Sequence, residues 1–352
     1  MTRTNEKGCP AMMLRCSCRS CRFLPATLLS ASILLLLPAA CNNPVEPDPQ
    51  PTPPGPAVAW FNGLGYTVDL YFPESDSLVG GAYVTGAVPS DIVSLGDGRF
   101  AVLSSQDACL RVFDADLTGG ELFTIDLPAG SNPYSMSWDG THVWITLLLT
   151  GQVARVLPTE GATPTLYETG GNPTSIASDG EVVLVGHGNY PDPAVTGGVL
   201  VLDAATGVEL DSIATPDNVT SMRYFEETGM VHAVTSTYTG DGLISIVDAG
   251  SLEIVAQIPT GGSPGAPVRA GSYFASGDGF FSDAVFVYSE SGSLVSTWNT
   301  GASPVGLAVR GDSMYIADFG ADRVYLADWT TRTMLDTLAS GDGPQGIAIV
   351  ER

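Results

Sequence analysis

The chain has 352 residues, of which 15% are charged, with 41 glycines, 25 prolines and a formal net charge of −24. Its length suits two ordinary domains, although repeat folds exceed that prior as single units. The charge excludes partners that are themselves strongly anionic, nucleic acid and acidic lipid above all.

The charge is unevenly placed. Residues 1–40 hold five basic residues (Arg3, Lys7, Arg15, Arg19, Arg22) and one acid, Glu6, which leaves nine bases against 37 acids in the remainder. All nine are arginine, so the remainder carries a charge near −28 and no lysine. A basic start followed by the apolar run LPATLLSASILLLLPAA (24–40) reads as an export signal, too short and too one-sidedly flanked for a spanning helix. Residues 1–40 are therefore expected to be a signal peptide. The LPAAC that ends it resembles a bacterial lipobox, with Pro38 where that motif prefers an aliphatic residue. The resemblance implies a lipidated Cys41 as the new terminus, the alternative being plain secretion. Asn42 after it would favour the outer membrane in a Gram-negative cell, facing the periplasm or the cell surface. Residues 41–57 then form a tether whose prolines hold the backbone extended, at about 3 Å per residue. Cys9, Cys16, Cys18 and Cys21 lie inside the leader, so Cys109 is the only thiol expected in the folded part. Within ACLRVFD it reads as a small buried hydrophobe.

From residue 58 onward one pattern recurs. Seven corners align at Pro89, Pro133, Pro173, Val219, Pro264, Pro304 and Pro344, spaced 44, 40, 46, 45, 40 and 40 residues apart. Each of the first six is followed by a short apolar strand, a tight turn, a second strand such as FAVL (100–103), WITL (144–147) or YIAD (315–318), and a third. The third strands are LRVFD (110–114), QVARVL (152–157), GVLVLD (198–203), LISIVD (243–248), AVFVYS (284–289) and RVYLAD (323–328). A fourth strand runs out to the next corner. Four short strands in about 40 residues make a β-propeller blade, with period-2 apolar alternation expected within each strand. The fifth unit fits least well, because Pro264 and Pro267 crowd its first strand. After Pro344 only GIAIVER remains, enough for one strand. The missing three are expected from AVAWF (57–61), TVDLYF (67–72) and LVGGAYVTG (78–86). The expected fold is thus all-β: a seven-bladed propeller of four-stranded antiparallel blades over 58–352, closed by N- and C-terminal strands sharing the last blade.

These repeats resemble the YVTN family of propeller repeats, found in surface-layer proteins and in periplasmic or lactonase-like propellers. The resemblance implies a fold more than an activity, since that fold hosts many.

Chemistry is sparse. No Walker A motif, HExxH, EF-hand loop or CxxC pair occurs beyond the leader. GGSPG (261–265) matches a nucleophile elbow but places Pro264, which has no N–H, where an oxyanion-hole donor is needed. His142, His187 and His232 sit on or beside second strands at different offsets and do not make a metal set. His187 opens the longest insertion and is the histidine expected to meet a ligand.

In a four-stranded meander the loops after strands two and four share one face. Here those after strand two are the longer ones: 186–198, 236–242, 276–283 and 318–322. They carry Tyr190, Tyr238, Phe280, Phe281 and Phe319 beside Asp192, Asp241, Asp278, Asp283, Asp318 and Asp322, and with His187 these form the expected ligand face. The function expected is a lipid-anchored binding module at the cell envelope, with an envelope protein or polysaccharide as partner. Membrane contact would run through the lipid alone, with no catalysis, metal or other cofactor. A lactonase- or lyase-like enzyme with a metal-assisted site at the channel mouth is the alternative. A component docking on a redox or secretion partner is a third reading.

Overall fold

The computed structural model describes residues 53 and 55–352, apart from 119, 190–196, 217 and 238. The expected leader, Cys41, most of the expected tether, Tyr190, Asp192 and Tyr238 lie outside the described residues.

The described residues form seven four-stranded antiparallel sheets arranged as blades in a ring. Numbered by their corners, the first strands of blades 1 to 6 are Pro89–Gly96, Pro133–Trp138, Pro173–Ser178, Val219–Phe225, Val268–Ala270 and Pro304–Arg310. The strand of blade 5 is cut to three residues, and Pro264 joins the sheet only through an isolated bridge to Asp278. Proline cannot donate to the ladder, so Pro264 and Pro267 delay its start.

Blade 7 is composite, as the sequence implies. Its inner strand is Pro344–Val350, paired antiparallel with Ala57–Asn62, and Thr67–Phe72 and Ser77–Val84 complete it. A cluster of hydrogen bonds holds this closure. Asp69, 1% exposed, accepts from Trp60 Nε1 (3.1 Å), Gly341 N (2.9 Å) and Gly81 N (2.6 Å). Trp60 Nε1 also reaches Ser340 Oγ (2.8 Å), and that hydroxyl donates to Asn62 Oδ1 (2.7 Å). The N-terminal strands thereby grip the corner between blades 6 and 7.

The core is distributed over the seams. Seven apolar clusters occur, one between each pair of neighbouring blades, including Phe61, Phe72, Phe100 and Phe113 between blades 7 and 1. Burial departs from simple alternation for this reason. Second strands such as Val143–Leu147 are buried at every residue, because both faces meet another blade, whereas outer strands such as Glu121–Asp126 keep a single buried anchor, here Ile125. Cys109 is buried too, which pushes its thiol pKa up and suits a packing role.

Many of the acids are turn residues. The aspartates ending third strands accept backbone N–H groups two or three residues on, as Asp203 does from Thr206 (2.7 Å), Asp248 from Ser251 (2.7 Å) and Asp328 from Thr330 (2.8 Å). The hydroxyls of Thr206 and Thr330 first, and then these N–H groups, hold Asp203 and Asp328 below the usual aspartate range, and the Ser251 N–H does so for Asp248. Between first and second strands, Asp139 and Asp179 do the same for His142 and Val182.

Candidate functional site: the central channel and its loop-face mouth

The inner strands enclose a channel of about 650 Å³. Pairing slips by a residue just after the corner anchor in blades 1, 2, 3, 4 and 6. Such a bulge bends the strand and re-aims its side chains. The residue following each anchor lines the mouth on the longer-loop face: Ser90, Tyr134, Thr174, Thr220, Gly265, Val305 and Gln345. Further in come Ile92, Met136, Ile176, Met222 and Ile347. The far end carries Ser94, Trp138, Ser178, Tyr224, Arg269, Val309 and Ile349. The mouth hydroxyls are partly spent on tying blades together. Ser90 Oγ donates to the Pro133 carbonyl (3.2 Å) and Thr174 Oγ1 to the Val219 carbonyl (2.6 Å).

Small residues are needed near the axis. A Cβ on Gly306 would stand 1.9 Å from the Gln345 carbonyl oxygen, and one on Gly346 would meet the Phe61 ring at 2.6 Å. Neither position could hold a ligand-binding side chain without moving a neighbouring strand.

Three charged residues line the channel: Asp91, Arg223 and Arg269. Asp91 is fastened to blade 2, accepting from Met136 N (2.8 Å) and Ser135 Oγ (3.3 Å). Enclosure raises its pKa against those hydrogen bonds and the charge of Arg223. Arg269 donates from Nε to the Gly271 carbonyl (3.1 Å), lies 3.6 Å from Glu227 and stacks over Phe274. Arg223 is different. Its side chain is open to water yet walled in by the ring, so enclosure pulls its pKa down while Asp91 opposes the shift.

The structure places the described sequence candidates unequally. Asp278, 2% exposed, accepts from Ser263 N (3.1 Å), Phe281 N (3.1 Å) and Ser282 Oγ (2.9 Å). It folds the 278–283 loop from within. That fold leaves Phe280 75% and Phe281 52% exposed, with Phe280 at the channel mouth. Gly279 lies against Val305, and its carbonyl accepts from Ser303 Oγ (2.8 Å), so the loop rests on the blade 6 corner.

The other loop aspartates are also occupied. Buried Asp318 accepts from the N–H groups of Gly320 and Ala321 (both 3.2 Å), Asp322 from Gly343 N (2.9 Å), and Asp283 from Gly301 N (2.9 Å). Phe319 is half-buried, its ring against Gly343. Exposed Asp241 accepts from Thr237 N (2.9 Å) within its own loop.

The histidines are packed into the blades. His187 Nε2 donates to the Gly170 carbonyl (3.1 Å), its ring lies over Gly171, and burial lowers its pKa. His142 falls one residue before its second strand. His232 sits in an aromatic cluster with Phe225, Phe274 and Tyr288, shares a 2.9 Å hydrogen bond with the Tyr288 hydroxyl, and has its pKa pulled down to about 3 by burial. Among the described residues no three His, Cys, Asp or Glu side chains are grouped to hold a metal ion.

A scan of protein-family models and a search of curated proteins both find no match to this sequence. Solved structures do match. Hydrazine synthase of Kuenenia stuttgartiensis superposes with a TM-score of 0.63 at 14% identity, covering 74% of this chain and 89% of that one. Apo AztD from Citrobacter koseri gives 0.61 at 9% identity, covering 84% and 98%. The chain is a seven-bladed β-propeller. The dihydro-heme d1 dehydrogenase NirN, solved in complex with DHE, gives 0.58 at 13% identity over 83% and 74%. At such identities the likeness is one of fold, and these propellers differ in what they do.

Proposed function

We propose that this propeller is an exported, non-catalytic binding module of the YVTN-repeat type, lipid-anchored through Cys41 at the cell envelope. Its partner seats on the longer-loop face over the channel mouth. The observation that carries this reading is the Phe280–Phe281 pair, two adjacent exposed aromatics on a loop braced by the buried Asp278 carboxylate. Exposed aromatics on a rigid support are the residue type that dominates interface energy. Around them a surface with many acids and no lysine favours a basic or polar protein partner.

Two experiments test the reading. Cys41→Ala is expected to move the protein from membranes to the soluble fraction, because a two-chain lipid supplies the only strong apolar attachment. Unlipidated wild-type protein by mass spectrometry overturns that part. Phe280→Ser with Phe281→Ser is expected to abolish capture of envelope proteins, whereas Val208→Ser, an exposed apolar residue of the opposite face, leaves it intact. Equal loss from both faces overturns the docking face. Capture of isolated polysaccharide in place of protein overturns the choice of partner.

A further inference from the structure

Outside residues 1–40 this protein has nine arginines, and several of them are visibly engaged. Arg111 pairs with Glu121 (2.7 Å), Arg155 donates to the Ala204 carbonyl (2.6 Å), Arg310 lies 3.5 Å from Glu351, and Arg332 donates to Ser296 Oγ (2.8 Å). Arg223 alone stands on an inner strand with its guanidinium in the lumen and, among the described residues, donates no side-chain hydrogen bond to the protein. A guanidinium carries five donors in a rigid planar fork. Held in the channel with that fork open to water, it has all five donors available to a ligand.

The surroundings say what would fill it. The single carboxylate of the channel, Asp91, is already committed to blade 2 through Met136 N and Ser135 Oγ. Arg269, the other cation of the lumen, lies 3.6 Å from Glu227 and donates to the Gly271 carbonyl, which leaves Arg223 as the channel's guanidinium without a direct partner among the described residues. The ring of residues just above Arg223 is apolar, and just beyond it the partly buried aromatic residues Trp138 and Tyr224 line the wall. A hydrated inorganic ion would meet little that suits it there. A volume near 650 Å³ matches a drug-sized organic molecule.

We propose that the channel is a binding site for a small organic anion, a carboxylate on an apolar or aromatic body, with its carboxylate on Arg223 and its body against Trp138 and Tyr224. The site lies deeper in the same channel than the Phe280 mouth, and its test does not depend on the docking reading. Asp179, Glu181, Glu226 and Glu227 act on Tyr224 at the far end of the channel, so an anion is held there by its direct pairing with Arg223 and not by the wider field, which is screened beyond about 8 Å at physiological ionic strength.

The test is calorimetric titration of the full chain with 1-naphthoate, its neutral analogue 1-naphthamide, and inorganic phosphate. Naphthoate is expected to bind saturably with one site per chain, and each of the other two at least about tenfold more weakly. Arg223→Gln is expected to weaken naphthoate by about tenfold or more, the loss of a charge-assisted bidentate contact. Arg223→Lys, which keeps the charge but loses the fork, is expected to fall between them. Arg332→Gln, which removes a rim guanidinium, is expected to change nothing. Thermal melting of each variant separates loss of binding from loss of folding, and Arg223→Lys carries the comparison if the glutamine variant fails to fold. Undiminished naphthoate binding by a folded Arg223→Gln protein, naphthamide or phosphate binding as tight as naphthoate, or no naphthoate binding at 10 times the concentration expected for a weak site (roughly 1 mM) would each overturn the assignment.

Discussion

Replacing Asp69 tests whether blade closure governs the whole ring. The carboxylate receives Trp60 Nε1, Gly341 N and Gly81 N while almost entirely buried. In Asp69→Ala the indole N–H keeps Ser340, and Gly81 is exposed enough for water to replace its partner. Gly341 N loses its acceptor at a partly buried corner, and the charge-assisted character of all three bonds disappears. An orphaned donor costs about 1–3 kcal/mol and a hydrogen bond to a charged group contributes about 1.5–3 kcal/mol. Release of the carboxylate's own desolvation cost offsets part of this, so a net loss of about 3 kcal/mol is expected. Asp69→Asn can turn its remaining oxygen toward Trp60 and Gly341 and should lose only about 1 kcal/mol, the contribution of one solvent-accessible bond. With a urea m-value of about 3 kcal/mol/M, the midpoint should fall by about 1 M in the alanine variant and about 0.3 M in the asparagine variant. Far-UV circular dichroism and tryptophan fluorescence should report coincident transitions, since Trp60 sits in the perturbed cluster. An alanine midpoint within about 0.2 M of wild type, or a fluorescence transition that precedes the loss of strand signal, would refute the view that this corner holds the ring as one cooperative unit.

Three further outcomes are expected. Deleting 343–352 removes the inner strand of blade 7 and bares the edge of Ala57–Asn62, so the entire domain should melt earlier as one transition; an unchanged melting curve would count against the shared blade. Gly306→Ala should cost about 2–3 kcal/mol and lower Tm by about 5 °C, because its Cβ would collide with the Gln345 backbone; a shift below about 1 °C would show that the inner strands can part there. His232 is held neutral, with a folded pKa near 3 against about 6.5 unfolded, so the unfolded chain binds the extra proton and stability is lost as pH falls from 6.5 toward 3. The stability advantage of wild type over His232→Phe should therefore shrink by about 1.4 kcal/mol per pH unit between pH 6 and 4, and a parallel pH dependence would sink the buried-neutral assignment.

The architecture was legible because most blades repeat their punctuation. Corner prolines other than Pro264 open first strands, Asp114, Asp203, Asp248 and Asp328 end third strands, and the shortage of strands after Pro344 announced the shared blade. Even the weakness of the fifth repeat matches its three-residue inner strand. The site was much less legible. Arg223 in SMRYF reads as one polar residue in an alternating strand, and only the slip in pairing after Val219 decides that it faces the axis. The loop acids mislead in the other direction. Asp278 and Asp318 look like ligand groups in sequence, yet they satisfy their own loops' N–H groups, a possibility signalled by the Gly-rich turns that follow them. Phe280 and Phe281 stand out for the complementary reason: the loop that Asp278 folds leaves both exposed.

The pairing of Ala57–Asn62 with Pro344–Val350 also has a kinetic meaning. Blades 1 to 6 each draw their strands from one short stretch of chain and can form as soon as that stretch is made. Blade 7 joins segments with all the others synthesised between them, the contact of highest sequence separation in the molecule, and bringing such ends together is slow relative to local hairpins. Docking of the last inner strand is thus placed at the end of the folding order. Until then the first strands expose an unpaired edge and the apolar seams on either side of them, the surface on which a chaperone would hold the chain and a protease would cut it.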